Sequence, residues 1–148
     1  MPGDLFSNSE SSIIMEELVN ENGDTSWKKY SKGSFLGKGG FAKCYELTDL
    51  QTNELFAVKI IAKSSLIKPR AKQKLKSEIK IHMSMAHDKI VKFYRHFEDK
   101  ENIYILLELC RNKSLNDMVK RRKRFKEIEA KWYVGTSISA IFVFSHFL

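Results

Sequence analysis

Residues 37–40, Gly-Lys-Gly-Gly, place three glycines in four positions within "FLGKGGFAKCYEL", and the chain then returns at once to alternating, strand-like sequence. Glycine weakens a regular strand, because it loses the most backbone freedom on folding and packs no side chain. Its concentration here requires a tight turn, or a backbone that comes close to something. The flanks define the context. "YSKGSFLG", "FAKCYELT" and "ELFAVKII" are each enriched in aromatic and β-branched residues, and the turn-like "DLQTN" joins the second to the third. The glycines therefore sit in a hairpin and not at the start of a helix.

The rest of the chain completes an α+β pattern. Pro69 opens a helical segment, "RAKQKLKSEIKIHMSM", in which Leu75, Ile79, His82 and Met83 fall on one face. Two further strands, "KIVKFYRHFED" and "NIYILLELC", are joined by the polar "DKEN"; helical patterns resume at "SLNDMVKRRK" and again from about Lys126. The expected fold is a five-stranded antiparallel sheet carrying one helix, followed by the first helices of a second lobe. Residues 1–25, rich in Ser, Asn, Glu and Asp, are expected to be an acidic disordered tail, with "SIIMEELV" forming at most a short amphipathic turn. Residues 26–148 then form one domain, divided into 26–110 and 111–148.

Composition limits the functions open to such a chain. With 148 residues, 43% hydrophobic and 30% charged, it suits one soluble globular domain. No run reaches the ~18 apolar residues of a membrane span, and no secretory signal is expected at the N-terminus. Cys44 and Cys110 lack a CxxC or zinc-type spacing; they are expected as free, pocket-lining thiols in a reducing, intracellular compartment, and no metal site is expected. The net charge is +8, yet Asp4, Glu10, Glu16, Glu17, Glu21 and Asp24 leave the first 24 residues wholly acidic. The basic excess lies in 59–80 and in 111–126, with its run "KRRKRFK". Such a surface attracts phosphate, acidic peptide or nucleic acid, or is simply a solvated helix face. There is no interleaved aromatic platform of the kind single-strand binders use.

Three nucleotide-binding readings of the glycines compete. A G-x-x-x-x-G-K-[ST] loop fails, since Gly33 to Gly37 is one residue short and Gly39 stands where the magnesium-binding hydroxyl belongs. A dinucleotide fingerprint fails as well, because strand and not helix follows. The third is a hairpin lying over a triphosphate, G-x-G-x-x-G-x-V, with Gly37, Gly39 and Ala42 at its small positions and Cys44 in place of Val. Small residues let backbone N–H groups approach phosphate oxygens, and Phe41 at the tip would shield them from water. Lys59 strengthens this reading. A lysine inside the apolar strand "AVKI" is costly to bury without an anionic partner. Glu78 is the one carboxylate of the helix 70–84, next to its apolar face, and a Lys59–Glu78 pair would hold the ammonium against the phosphates. Beyond the fifth strand, the Glu108 carbonyl and Cys110 N–H are placed to meet an adenine edge, with Leu36, Cys44, Ala57 and Leu107 as apolar walls. These same residues would also serve as ordinary core.

Taken together, Tyr30 to about Val134 resembles the N-terminal lobe of a eukaryotic protein kinase, and specifically a polo-like kinase. "LGKGGFAKC" is the most diagnostic element, supported by "EIKIHMSMAHDKIVKFYRHFED", "LELCRNKSL" and "KRRK"; Aurora-type glycine loops differ. The resemblance implies Ser/Thr phosphorylation with ATP and Mg2+, protein substrates, and action in the cytoplasm or nucleus, at centrosome and spindle. It assigns Gly37, Lys38, Gly39, Gly40, Phe41, Ala42 and Cys44 to the loop. It makes Lys59 and Glu78 the catalytic pair, Glu108 and Cys110 the hinge, and His82 a spine residue. The sequence departs from the family after Val134 and contains no H-R-D-x-x-x-x-N, D-F-G or A-P-E, so this chain alone is expected not to phosphorylate substrates and the metal ligands are expected elsewhere. Two other classes stay open: a non-catalytic fragment that docks on a partner kinase or acidic protein through its apolar C-terminal helix or basic run, and a basic nucleic-acid binder.

Overall fold

The computed structural model describes residues 12–111 and 115–146. In chain order these form β1 (Ile13–Val19), β2 (Thr25–Lys38), β3 (Ala42–Asp49), β4 (Leu55–Ala62), α1 (Pro69–Ser84), β5 (Phe93–Glu98), β6 (Asn102–Leu107), α2 (Leu115–Arg122) and α3 (Glu127–His146). The strands make one sheet in the order β1-β2-β3-β4-β6-β5, antiparallel at every step.

The sheet has six strands where five were expected, and the addition corrects the reading of residues 13–25 as tail. β1 pairs along its length with β2, Ile14 opposite Tyr30 and Glu16 opposite Lys28. Between them Asn20 builds the turn: its Oδ1 accepts the N–H groups of Asn22 and Asp24, and Gly23 takes φ 85°, a left-handed angle that glycine adopts freely. Residues 1–11 of the expected tail lie outside the described residues.

Alternation along the strands creates two faces. One carries Ile14, Tyr30, Leu47, Phe56, Val58 and Leu106, of which Tyr30, Leu47, Val58 and Leu106 have no solvent exposure. Burying side chains of this size contributes roughly 1.5–3 kcal/mol each. The sheet curls around this face far enough for its two edges to meet. Arg95 on β5 donates to the Tyr30 hydroxyl at 2.7 Å and lies 3.5 Å from Glu16 of β1, while Phe97 stacks on Tyr30 at 6.0 Å. The other face receives α1, whose Leu75 and Ile79 pack on Ala42, Ile61 and Ile105. Pro69 starts that helix, its fixed φ and missing N–H being harmless in the first turn. Met83, expected on the packed face, is 56% exposed.

The β3–β4 and β5–β6 turns are each fixed by an aspartate. Asp99 accepts the N–H groups of Glu101 and Asn102 and the Tyr104 hydroxyl proton, tightening β5–β6. Asp49 accepts those of Gln51 and Thr52 and pairs with Lys28 at 2.7 Å. Burial alone would raise the Asp49 carboxyl; hydrogen bonds from Lys28 and the two backbone donors outweigh it and hold the group at about 2. A carboxyl depressed in the folded state stabilises above its unfolded value, ~3.9, and that stability is lost as pH falls toward 2. Asp49→Asn is therefore expected to reduce the drop in denaturation midpoint between pH about 4 and about 2, measured by denaturant titration at both pH values. An unchanged drop would refute the assignment.

In the second lobe, Arg122 pairs with Glu129 at 2.9 Å, and the Tyr133 hydroxyl contacts Met118 Sδ at 3.3 Å, joining α2 to α3. α3 runs unbroken past Val134.

Candidate functional site

Residues directly opposed in an antiparallel ladder project to the same side. The register sets Gly37 opposite Cys44, Cys44 opposite Lys59 and Lys59 opposite Ile105, with Ala57 facing Leu107 one step along. Cys44, Ala57, Lys59 and Leu107 therefore share the face covered by α1. Lys38 opposes Lys43, one residue out of step, so its side chain belongs to the opposite face and only its backbone belongs to the site.

The glycine segment is a hairpin, as expected. The Gly39 N–H donates to the Ala42 carbonyl at 2.8 Å and closes the turn between β2 and β3. A Cβ placed on Gly37 or Gly40 would meet nothing within 4 Å. Neither crowding nor a left-handed angle requires glycine at these two positions; what they leave is bare backbone facing open space. Phe41 projects from the tip, 69% exposed. Beneath the tip lies a cleft of about 280 Å3, lined by Gly39, Gly40, Phe41, Lys59, Leu75 and Glu78.

β4 and α1 bring the two charged residues together. Lys59 Nζ lies 2.9 Å from Glu78 Oε1 and donates to it. The side chains are 29% and 55% exposed, so the pair is partly solvated and worth at most ~1 kcal/mol to the fold. Its value is positional: it fixes an ammonium at the floor of the cleft. A cavity of about 30 Å3 lies behind it, walled by Ile79, His82, Phe93 and Ile105. His82 is anchored there by its Nε2, 2.8 Å from the Val91 carbonyl, and by edge contact with Phe93.

The exit of β6 is clamped twice. The Glu108 N–H donates to the Lys92 carbonyl at 2.9 Å, and the Glu108 carboxylate accepts the Lys92 N–H at 3.1 Å. Cys110 follows, exposed, its Sγ 4.0 Å from the Glu108 carbonyl. Burial, then the Glu108 charge, push the Cys110 thiol up, which keeps it protonated and unreactive at neutral pH. Leu36 stands at the cleft mouth, largely exposed.

Two features escaped the sequence reading. Glu46 opposes Ala57 and so shares the site face, and Gly33 makes room for it, since a Cβ there would lie 3.2 Å from Glu46 Cβ. The signal was present, since Glu46 stands two residues beyond Cys44 in the same strand. The second is the seam of Glu16, Tyr30 and Arg95.

The residues present suit a nucleoside triphosphate: a fixed ammonium below, open backbone above, and small apolar side chains on one flank. Among the described residues no cluster of acids, histidines or cysteines could hold a metal ion. Comparison with known proteins agrees in kind. The pattern of the protein kinase domain matches residues 30–146. The chain is 61% identical over 121 residues to a probable serine/threonine-protein kinase, CCRP1, of Zea mays, covering 81% of this chain and 19% of that protein. It is 52% identical over 129 residues to the probable serine/threonine-protein kinase PLK of Dictyostelium discoideum, 87% of this chain and 13% of that one. To the serine/threonine-protein kinase polo of Drosophila melanogaster it is 45% identical over 132 residues, 89% and 22% respectively. The chain thus spans about a fifth or less of these relatives.

Proposed function

Since the chain belongs to the protein kinase domain family, in its polo-like branch, we propose that residues 26–110 build the ATP-facing part of a serine/threonine kinase site. The observation that carries this reading is the Lys59–Glu78 pair, 2.9 Å apart beneath a glycine hairpin on the same face of the sheet. Lys59 neutralises phosphate charge at a fixed point, and Glu78 keeps its ammonium there. The loop backbone from Gly37 to Ala42 supplies N–H donors, while Cys44, Ala57 and Leu107 flank the base and the Glu108–Cys110 segment meets its edge. ATP supplies the transferable γ-phosphoryl group, with protein Ser/Thr as acceptor. On the polo-like resemblance, the Mg2+ that accompanies it would be held by the Asn of an H-R-D-x-x-x-x-N and the Asp of a D-F-G. These 148 residues include no H-R-D-x-x-x-x-N or D-F-G, so on their own they bind nucleotide without turning it over. The intracellular setting, at centrosome and spindle, follows the same polo-like resemblance.

A second reading has one observation in its favour. Ile128, Trp132 and Val134 on α3 are all exposed, as expected of a fragment that docks on a partner. Thermal unfolding separates the two. Adenine nucleotide is expected to raise the melting temperature of the wild-type chain, and Ala57→Phe, which fills the proposed base slot, to abolish that rise. Stabilisation by an acidic polymer but not by nucleotide would overturn the kinase-site reading and favour the docking fragment.

A further inference from the structure

On the face opposite α1, the core does not fill the curled sheet to its end. Ile14, Tyr45, Ile60 and Tyr104 belong to that core or pack against it, and they also form the floor of an open cup of about 360 Å3. The register explains the space. Lys43 opposes Ile60 and Ile60 opposes Tyr104, while Ala62 opposes Asn102 two residues further along β4. Toward this end the inward positions change from large apolar residues to Lys43, Ala62 and Asn102, so the core stops and the cup remains. Ligand sites recur in such a place, at the mouth of a curled or closed sheet. Phe41 lines this cup and also the cleft beneath the glycine hairpin; the two cavities lie on opposite faces of β3.

The polar groups at its rim are of one kind. Lys32 and Lys43 both line the cup, and among the described residues neither forms an ion pair. Lys32 holds its ammonium 4.9 Å from the centre of the Tyr45 ring. Lys43 stands two residues from Tyr45 on the same side of β3, ~7 Å along the strand at ~3.4 Å per residue. Asn102 gives one amide hydrogen to the Tyr104 hydroxyl at 3.3 Å and carries a second. Among the described residues no carboxylate lines the cup; Asp99, which accepts the Tyr104 hydroxyl proton, is committed to its own turn. The rings of Phe41, Tyr45 and Tyr104 offer faces and edges to a flat apolar body, and each lysine offers a charge-assisted hydrogen bond to an anion. We propose that this cup is a second binding site, for a small aromatic carboxylate, with its ring over Ile60 and its carboxylate between Lys32 and Lys43.

Titration of the full chain with 2-naphthoate, followed by amide NMR and calorimetry, tests this. Saturable binding is expected with a Kd of about 1 mM or tighter, the range open to a ligand of that size. Shifts are expected at residues 12–14, 32, 41–45, 60–62 and 102–104. Lys32→Met with Lys43→Met, two exposed or half-buried positions, is expected to weaken binding several-fold without lowering the melting temperature. The uncharged 2-naphthalenemethanol is expected to bind several-fold more weakly than the carboxylate. Ala62→Leu, which fills the cup, is expected to abolish binding. Absence of saturable binding, equal affinity for the uncharged analogue, or an unchanged Kd in the double methionine variant would each overturn the proposal. Shifts centred on Lys59 and Leu107 would place the ligand in the nucleotide cleft and overturn it too. So would tighter binding of decanoate, which would assign the cup to an acyl chain, or displacement of naphthoate by an acidic peptide of higher affinity, which would assign it to a protein partner. The nucleotide-dependent rise in melting temperature is read separately, so failure here leaves the kinase-site reading standing.

Discussion

Lys59→Met is expected to abolish the nucleotide-dependent rise in melting temperature of this chain. In a longer chain that supplies the base and metal ligands, it is expected to lower phosphoryl transfer about 10²–10³-fold, the usual cost of removing one positioned charge-stabilising donor. The pair it breaks is partly solvated, so stability without nucleotide should change by no more than ~1 kcal/mol. That contrast is diagnostic. A core lysine lost to mutation would lower stability and leave nucleotide nothing particular to lose. Glu78→Gln retains a hydrogen-bond acceptor for the ammonium without the charge, and should fall between wild type and Lys59→Met in both readouts. Thermal shift with and without nucleotide, set beside a single-turnover transfer assay, checks all three chains. Full nucleotide stabilisation in Lys59→Met would remove the basis for the proposed site.

The second large effect concerns the seam. Glu16→Ala is expected to lower folding stability by about 1–3 kcal/mol, the cost of leaving a buried hydrogen-bond donor without its acceptor. Glu16 is 5% exposed; it accepts the Tyr30 hydroxyl proton at 2.6 Å, and the Arg95 guanidinium lies 3.5 Å away. Burial first, then the hydrogen bond to Glu16 and its charge, raise the Tyr30 phenol well above the ordinary tyrosine range. The phenol is therefore a donor at neutral pH, and loss of Glu16 leaves it and Arg95 without their shared acceptor. Replacing both charged members, Glu16→Leu with Arg95→Leu, should recover most of the loss, because no unpaired charge then stays inside. Denaturant titration of the two variants decides the matter; equal destabilisation of single and double would show that packing, not charge, holds the seam.

What the sequence disclosed and what it concealed follow from one distinction. Lys59, Glu78 and the glycine loop were legible because each violates a local rule: a cation in an apolar strand, a lone acid in a basic helix, glycines between strands. The register then carried Cys44, Ala57 and Leu107 to the same face by simple alternation. β1 was illegible for the converse reason. Its inward positions are Ile14 and Glu16, and a carboxylate at an inward position breaks the apolar period that marks a strand. Its partner, Arg95, lies far away in sequence and gives no local sign. Met83 was misread because helical spacing identifies a face and not which positions on it are covered: Leu75 and Ile79 are buried, while Met83 on the same helix is 56% exposed.

The closure of the sheet also bears on the order in which the molecule takes shape as it is made. Tyr30 and Arg95 are 65 residues apart. A nascent chain therefore presents its first hairpin to water, with the Glu16 carboxylate hydrated, long before the guanidinium that will neutralise it has left the ribosome. The contact is non-local and repays its loop-closure entropy only at the end. Meeting of the two sheet edges therefore waits until β5 has formed, and until then β1 is held through its ladder with β2.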